Sequence, residues 1–164
     1  MREKSGDGCT PLLAAAREGY TEIVSMLLEA GADLSARNNA GDTAAHIASF
    51  RDHADILRAL IRRGINLELR DNLGNTPLLL ASGACSVNTV RLLLRNQVNT
   101  HAVNTYGNSA LELATNEVVK ALLVADREGG AEASSALLDT LDQEDELAKE
   151  AEMLQQKAEK EEQS

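Results

Sequence analysis

Apolar residues in the first three-quarters of the chain recur in groups whose spacing fits one face of a helix. Within a group the residues stand three or four positions apart, which places them on one side of a helical turn. A short alanine-rich segment precedes each group. The groups are Ile23, Val24, Leu27 and Leu28, then Ile56, Leu57, Leu60 and Ile61, then Val90, Leu93 and Leu94. The pattern predicts pairs of short helices, of which the second carries the apolar stripe.

A strict internal period underlies these groups. Its spacing is 33 residues, and it is marked by Gly8, Gly41, Gly74 and Gly107. Each glycine is followed by Thr or Ser two positions later and by Ala seven positions later. Glycine suits a tight turn with positive φ, and a hydroxyl oxygen can accept a hydrogen bond from a free N–H group at a helix start. Each unit therefore predicts a turn, a capped helix and a second helix.

The period also fixes the expected helix positions. We predict helices near residues 10–17, 21–29, 43–50, 54–62, 76–83, 87–95, 109–114 and 117–124. The fourth unit is shortened, because its second apolar pattern arrives four residues early. Gln97 stands where the first two units have a glycine that ends the second helix. We expect the neighbouring Asn96 to take the left-handed backbone angle there.

Three segments resemble the ankyrin repeat closely. They are Gly8-Cys9-Thr10-Pro11-Leu12, Gly31-Ala32-Asp33-Leu34 and Gly74-Asn75-Thr76-Pro77-Leu78. The resemblance covers about residues 6–125 and implies an all-α repeat, an ankyrin solenoid of stacked helix–turn–helix units with β-hairpin loops. We predict a repeat domain over residues 1–125. Its units lie at about 7–39, 40–72, 73–105 and 106–125.

The remaining residues, 126–164, have a different character. They carry 13 acidic and 4 basic side chains, a net −9, whereas residues 1–125 carry 13 and 12, a net −1. Good helix formers dominate after Gly129-Gly130. Leu147, Ala151, Leu154 and Ala158 form a short heptad-like seam, typical of a coiled coil but only about two heptads long. We favour a solvated acidic helix over a docking or oligomerisation segment. A segment containing Leu137, Leu138 and Leu141 is the candidate cap for the end of the array.

Nothing in the sequence indicates catalysis, a cofactor or a metal site. Cys9 and Cys85 have no histidine near them in sequence, and no glycine-rich phosphate loop with its lysine is present. The resemblance implies that His46 hydrogen-bonds within its own loop. A net charge of −10 argues against nucleic acid as a partner. The N-terminus lacks the apolar run of a signal peptide, and no apolar stretch reaches the length of a membrane span. We therefore expect a cytoplasmic, or alternatively nuclear, protein that binds no membrane.

The resemblance implies that hairpin tips and the exposed side of each first helix contact a partner protein. Phe50, the only phenylalanine, occupies a variable helix position, and Leu73 and Tyr106 occupy the same tip position in successive units. The predicted partner-binding residues are Arg37, Asn39, Asp42, Phe50, Arg51, Arg70, Asn72, Leu73, Asn75, Thr105, Tyr106 and Asn108.

These observations predict a non-enzymatic interaction module or adaptor that binds another protein, as a monomer or as a subunit of a hetero-complex. The alternative is a structural subunit of a larger assembly, anchored through its C-terminal helix. Arg58, Arg62 and Arg63 form a basic cluster on the second helix of unit two. We interpret it as a solvated face, with an acidic partner or the chain's own tail as the alternatives.

Overall fold

The structure, a computed structural model, describes Gly6 and residues 8–163 of the chain. Eight helices occupy most of this part: α1 Pro11–Glu18, α2 Thr21–Glu29, α3 Ala44–Phe50, α4 Ala54–Arg62, α5 Pro77–Gly83, α6 Val87–Arg95, α7 Ala110–Leu113 and α8 Glu117–Glu162. The predicted all-α repeat is confirmed. The loops between units turn like hairpins but form no strands in the described residues, where one isolated bridge joins Val103 and Ser109.

The first helix of each unit begins one residue later than predicted, because the hydroxyl residue caps the helix and is not itself helical. Thr10, Thr76 and Ser109 have extended backbone angles. Their side-chain oxygens accept hydrogen bonds from the backbone N–H three residues later. Pro11 and Pro77 then occupy the first helical position, where a missing N–H group has no cost.

The helices stack in two layers with the core between them. α1, α3, α5 and α7 pack side by side in one layer, and α2, α4, α6 and the start of α8 form the other. Alanines keep the first layer thin, and aliphatic side chains from both layers fill the core. Its largest fully buried members include Leu13, Leu57, Leu79, Leu93 and Leu122. The layered stack leaves the hairpin loops and the first helices to form one face, which we call the inner face.

Among the described residues, three other than glycine adopt a positive φ, all at turns. Asp52 and Cys85 lie between the helices of units two and three, with φ of 59° and 58°. Gln97 ends α6 with φ of 55°, whereas Asn96 has φ of −93°. The expectation for Asn96 was therefore wrong. The residue at the glycine-equivalent position takes the angle, because the turn geometry of the repeat is kept even where its glycine is lost.

The last helix differs most from the prediction. It does not stop near residue 124, and the predicted boundary near residue 126 falls inside it. At Gly130 the backbone leaves helical geometry, with φ 72° and ψ −169°. The break divides α8 into a proximal arm, residues 117–129, and a distal arm, residues 131–162. The proximal arm supplies the second helix of unit four, and Val119, Leu122 and Leu123 are buried there.

The distal arm folds back and packs on the array. Leu138 is only 1% exposed, and Leu137 and Leu141 are partly buried against the core. The first half of this arm is therefore packed against the array, whereas its acidic composition predicted a solvated helix. Leu137, Leu138 and Leu141 lie on one side of this helix and form an apolar edge that packs against the array. Every residue from 142 to 163 is exposed.

Arginines of α6 hold the distal arm by its acidic side. Arg95 pairs with Asp139 at 3.0 Å and also with Asp142. Arg91 pairs with Asp145 at 2.7 Å and with Asp142. Residues later in the arm pair with residues earlier in α6, so the two helices run antiparallel. The tail thus meets arginines of unit three, and not the basic cluster of unit two.

Candidate functional site

In each hairpin tip, one side-chain oxygen accepts hydrogen bonds from backbone N–H groups of the same tip and so holds its shape. Asn38 Oδ1 accepts hydrogen bonds from the N–H groups of Ala40 and Asp42, both at 3.0 Å. Asp71 and Asn104 make the same two bonds in the next loops. This local arrangement fixes the tip residues at defined positions beside the first helices.

Adjacent tips are tied to one another. The N–H of Asn72 donates to Ala40 O at 3.0 Å, and its Nδ2 donates to Asn39 O at 2.8 Å. The N–H of Thr105 donates to Leu73 O at 3.0 Å. The contact is so close that a Cβ on Gly41 would lie 2.8 Å from the nitrogen of Asn72. The tips therefore form a connected edge of the array.

Two arginines reinforce this edge. Arg37 Nη1 donates to Gly41 O at 2.9 Å and to Arg70 O in the next unit. Arg70 Nη1 repeats the pattern with Gly74 O at 3.0 Å and Val103 O at 2.6 Å. The recurrence of Arg at a 33-residue interval is a sequence signal for a role in the framework and not in partner binding.

The twelve predicted partner-binding residues therefore separate into two groups. The first group has polar atoms that make hydrogen bonds between neighbouring hairpins; its members are Arg37, Asn39, Arg70, Asn72, Asn75 and Thr105. The second group includes three apolar side chains that stand out from the surface. Phe50 is 53% exposed, Leu73 49% and Tyr106 71%.

Phe50 and Leu73 meet at one concavity on the inner face, which we call the inner groove. It has a volume of about 440 Å³, and Ile47 and Leu80 form part of its lining. Of the predicted residues, Asp42, Phe50, Arg51, Asn72, Leu73 and Asn75 line it, whereas Tyr106 and Asn108 do not. The structure thus brings together half of the predicted set.

A pair of carboxyl groups lies at the hairpin end of the inner groove. Asp42 and Asp71 both line the groove there, and each is a neighbouring carboxyl group of the other. Burial, and then the neighbouring Asp71, raise the pKa of Asp42 to about 7. Burial and a second carboxyl group both favour the neutral form. Asp42 therefore still holds a proton in a large share of the molecules at neutral pH.

His46 lies beneath this pair and has a structural role. The backbone N–H of Thr43 donates to His46 Nδ1 at 3.2 Å, which completes a capping box at the start of α3, and Thr43 Oγ1 lies 2.9 Å from the same nitrogen. The Nε2 of His46 lies 2.9 Å from Asn75 O, which joins unit two to unit three. The predicted hydrogen bond within its own loop is present, and the bond to the next unit adds to it. Burial lowers the pKa of His46.

A second groove, of about 640 Å³, lies at the opposite end of the helices. Its lining is polar and carries both charges, including Asp52, Arg58 and Lys149. Asp52 is already engaged there, since its Oδ1 accepts hydrogen bonds from the N–H and Oγ1 of Thr89. Among the described residues no group of His, Cys, Asp and Glu is arranged to hold a metal ion. No helix within the same residues is long and apolar enough to cross a membrane.

Comparison with known proteins agrees with this architecture. A family model described as ankyrin repeats, in three copies, matches residues 1–71 and 55–135. Relatives named NAD-capped RNA hydrolase NUDT12, from Homo sapiens, Pongo abelii and Macaca fascicularis, are each 48% identical over 50 residues. That match covers 30% of this chain and 11% of each relative. The chain thus matches only about a tenth of the length of these hydrolases.

Proposed function

Because the chain belongs to the ankyrin-repeat family, whose repeats generally mediate protein–protein interaction, we propose that it is a non-enzymatic module that binds a partner protein through its inner face. The inner groove is the observation that carries this proposal. Phe50 and Leu73 present large apolar surfaces on either side of it, and aromatic anchors beside a concavity are typical of binding hot spots.

The framework of the hairpins supports the same surface. Since the loops are tied to one another by backbone and arginine hydrogen bonds, the groove exists before a partner arrives. A pre-formed surface loses less conformational entropy on binding than one that must first become ordered. The tied hairpins therefore favour the inner face over the polar groove at the other end of the helices.

The test is affinity capture with the full chain as bait, followed by measurement with the purified partner. We expect Phe50→Ala and Leu73→Ala to weaken binding, at least one of them by about 2 kcal/mol, which is the threshold for a hot spot. Glu22→Ala on α2 is the control, because Glu22 is exposed in the other layer. Binding that depends on Glu22 and not on the groove would show that the wrong face was chosen.

A second candidate function is a structural subunit anchored through the C-terminal helix. The observation in its favour is the exposed seam of the distal arm, where Leu147 is 65% exposed and Leu154 68%. These two side chains, seven positions apart, lie on one face of the helix, and neither belongs to the apolar residues packed against the core in the described part of the chain.

Light scattering after size-exclusion chromatography distinguishes the two functions. A chain truncated after Glu146 lacks the seam but keeps every ion pair with α6. If the full chain forms an oligomer and the truncated chain is a monomer, the seam is an assembly surface. If both are monomers and both bind the partner, the inner face alone accounts for the function.

A further inference from the structure

The inner groove carries opposite charges at its two ends. Asp42 and Asp71 lie at the hairpin end, where α3 begins. Arg17 and Arg51 lie at the other end, where α1 and α3 finish. From its N-cap Thr43 to its C-cap Arg51, α3 separates the two ends by about 12 Å, at the helical rise of 1.5 Å per residue. Apolar side chains occupy the space between them.

The acidic end is a departure from the repeat. At the next junction the equivalent positions hold Asn75 and Asn104, and the amide of Asn104 donates to Asn75 Oδ1 at 3.1 Å. The two asparagine side chains therefore form a donor–acceptor pair with each other. Asp42 and Asp71 are both acceptors when ionised, so neither side chain can donate to the other unless one of them holds a proton.

Among the described residues, no positively charged group donates a hydrogen bond to this acidic pair. Asp42 Oδ1 is buried and receives no hydrogen bond from the described residues. Asp71 already accepts from the N–H groups of Leu73 and Asn75. Arg37 is nearby, but its Nη1 donates to backbone carbonyls of Gly41 and the next unit. A donor with positive charge is the group that the pair lacks.

We infer that the inner groove binds an extended segment of the partner protein that places a lysine or arginine against Asp42 and Asp71, an apolar side chain between Phe50 and Leu73, and an acidic residue near Arg51. An extended chain advances about 3.3 Å per residue, so the two charged residues of the segment stand about four positions apart. The inference rests on the proposed function and specifies the chemistry of the partner.

The proton on Asp42 gives this interaction a pH dependence. With the pKa of Asp42 raised to about 7, the pair mostly holds one proton at pH 6 and has mostly lost it by pH 8. A bound cation takes the place of that proton, so the affinity for the segment rises as the pH rises. The other ionisable groups near the pair are His46, whose pKa is lowered by burial, and the arginines, which stay charged.

A phage-displayed library of random dodecapeptides, selected on the full chain, provides the probe. We expect enriched peptides to contain Lys or Arg about four positions from Asp or Glu, with an apolar residue between. Their synthetic versions, measured by fluorescence anisotropy, should lose at least tenfold in affinity on Asp42→Asn. Affinity for the parent chain should rise severalfold between pH 6 and pH 8, and affinity for the variant should not.

The variants have built-in controls. Asp42→Asn places at this junction the residue that Asn75 supplies at the next one, so the fold is retained, which a circular dichroism melt verifies. Asp55→Asn makes the same change of charge at an exposed position of α4, outside the inner groove, and should leave the affinity unchanged.

The outcomes separate the inference from the proposed function. Peptides that lose affinity on Phe50→Ala but lack a basic residue, or ignore Asp42→Asn, overturn the inference and leave the proposed function standing. Equal enrichment on the parent and on the double variant Phe50→Ala, Leu73→Ala overturns both. A loss caused equally by Asp55→Asn would show a general charge effect and overturn the inference as well.

Discussion

The two halves of the distal arm have similar helix-forming composition and opposite fates. Residues 131–145, the docked half, lie against the array, whereas residues 146–162, the free half, are exposed throughout. The docked half contains five acidic residues and no basic one, and the free half contains six acidic and three basic residues. Docking therefore depends on an acidic helix face that pairs with the arginines of α6 and on leucines that reach the core.

The free half has leucines too, but Leu147 and Leu154 remain exposed. α6 is nine residues long, and its Arg91 pairs with Asp145 of the arm. Because the two helices run antiparallel, the arm passes the N-terminal end of α6 about four residues after Asp145. Lys149, at that point, lines the polar groove, and the seam beyond it stays in solvent. The comparison shows that the position of a seam relative to its neighbours decides whether it is buried.

The largest contrast is expected between a core leucine and a free-half leucine. Leu93→Ala removes a fully buried side chain and should lower the free energy of unfolding by about 2–5 kcal/mol. Leu154→Ala changes a side chain that is 68% exposed and should alter it by less than about 0.5 kcal/mol. Urea unfolding followed by circular dichroism measures both. Similar losses for the two variants would contradict the assignment of Leu154 to a free surface.

Truncation tests the two halves as units. A chain ending at Gly130 loses the burial of Leu138 and the four ion pairs, and we expect a loss of about 1–3 kcal/mol from the uncovered leucine site alone. A chain ending at Glu146 keeps all of these contacts and should unfold at nearly the parent temperature. The comparison fails if the shorter deletion, which removes only the free half, destabilises the array as much as the longer one.

The fold of the array could be predicted from sequence because its signal is local and repeated. Glycine, hydroxyl and alanine positions recur in phase, so each unit supports the interpretation of the others. The docking of the distal arm has no such signal. Asp139, Asp142 and Asp145 stand three apart, which suggests one acidic helix face, but their partners on α6 lie more than 40 residues away in the chain. Only the turn at Gly130 brings them together.

The inner groove was predictable in part for the same reason. Phe50 and Leu73 could be singled out from the sequence because they are large apolar residues at positions that vary between repeats. The sequence also predicts the hairpin arginines and asparagines as binding residues although they repeat, whereas in the structure they make contacts between units. The carboxyl pair was not predicted as a pair, since Asp42 and Asp71 belong to different units and meet only when the units stack.

A smaller effect is expected from the ion pairs that hold the docked half. Arg91→Gln and Arg95→Gln should each cost about 0.2–1 kcal/mol, because these pairs are partly exposed. Exposed pairs are also screened by salt, so the cost should shrink in 1 M NaCl. The measurement is urea unfolding at two salt concentrations. Arg62→Gln, on the second helix of unit two, makes the same change where the arm does not dock, and serves as the control.

The same contact sets a dependence on acid. Burial acts to raise the pKa of Asp142, but hydrogen bonds and charge from Arg95 and Arg91 outweigh it and hold the pKa below its ordinary value. The stabilisation is therefore present above about pH 4 and is lost as the pH falls through the lowered pKa. Asp142→Asn should remove part of this dependence, and Glu150→Gln in the free half should not. An equal effect of both changes would mean that overall charge, and not docking, governs the response.

The smallest effect is expected from making the free seam polar, and it tests the comparison most sharply. Leu147→Gln and Leu154→Gln together remove both large apolar side chains of the seam while keeping good helix formers. If the seam touches nothing in the monomer, the free energy of unfolding changes by less than about 0.5 kcal/mol. Leu138→Gln is the matched change in the docked half. It places an amide at a site that is 1% exposed, so it should destabilise the chain clearly and release the arm. Amide hydrogen exchange distinguishes these outcomes along the helix. Release of the arm speeds exchange in residues 131–145, whereas the seam variant leaves their protection as it was. Reduced protection of the docked half in the seam variant would show that the two halves are coupled, and the contrast drawn between them would fail.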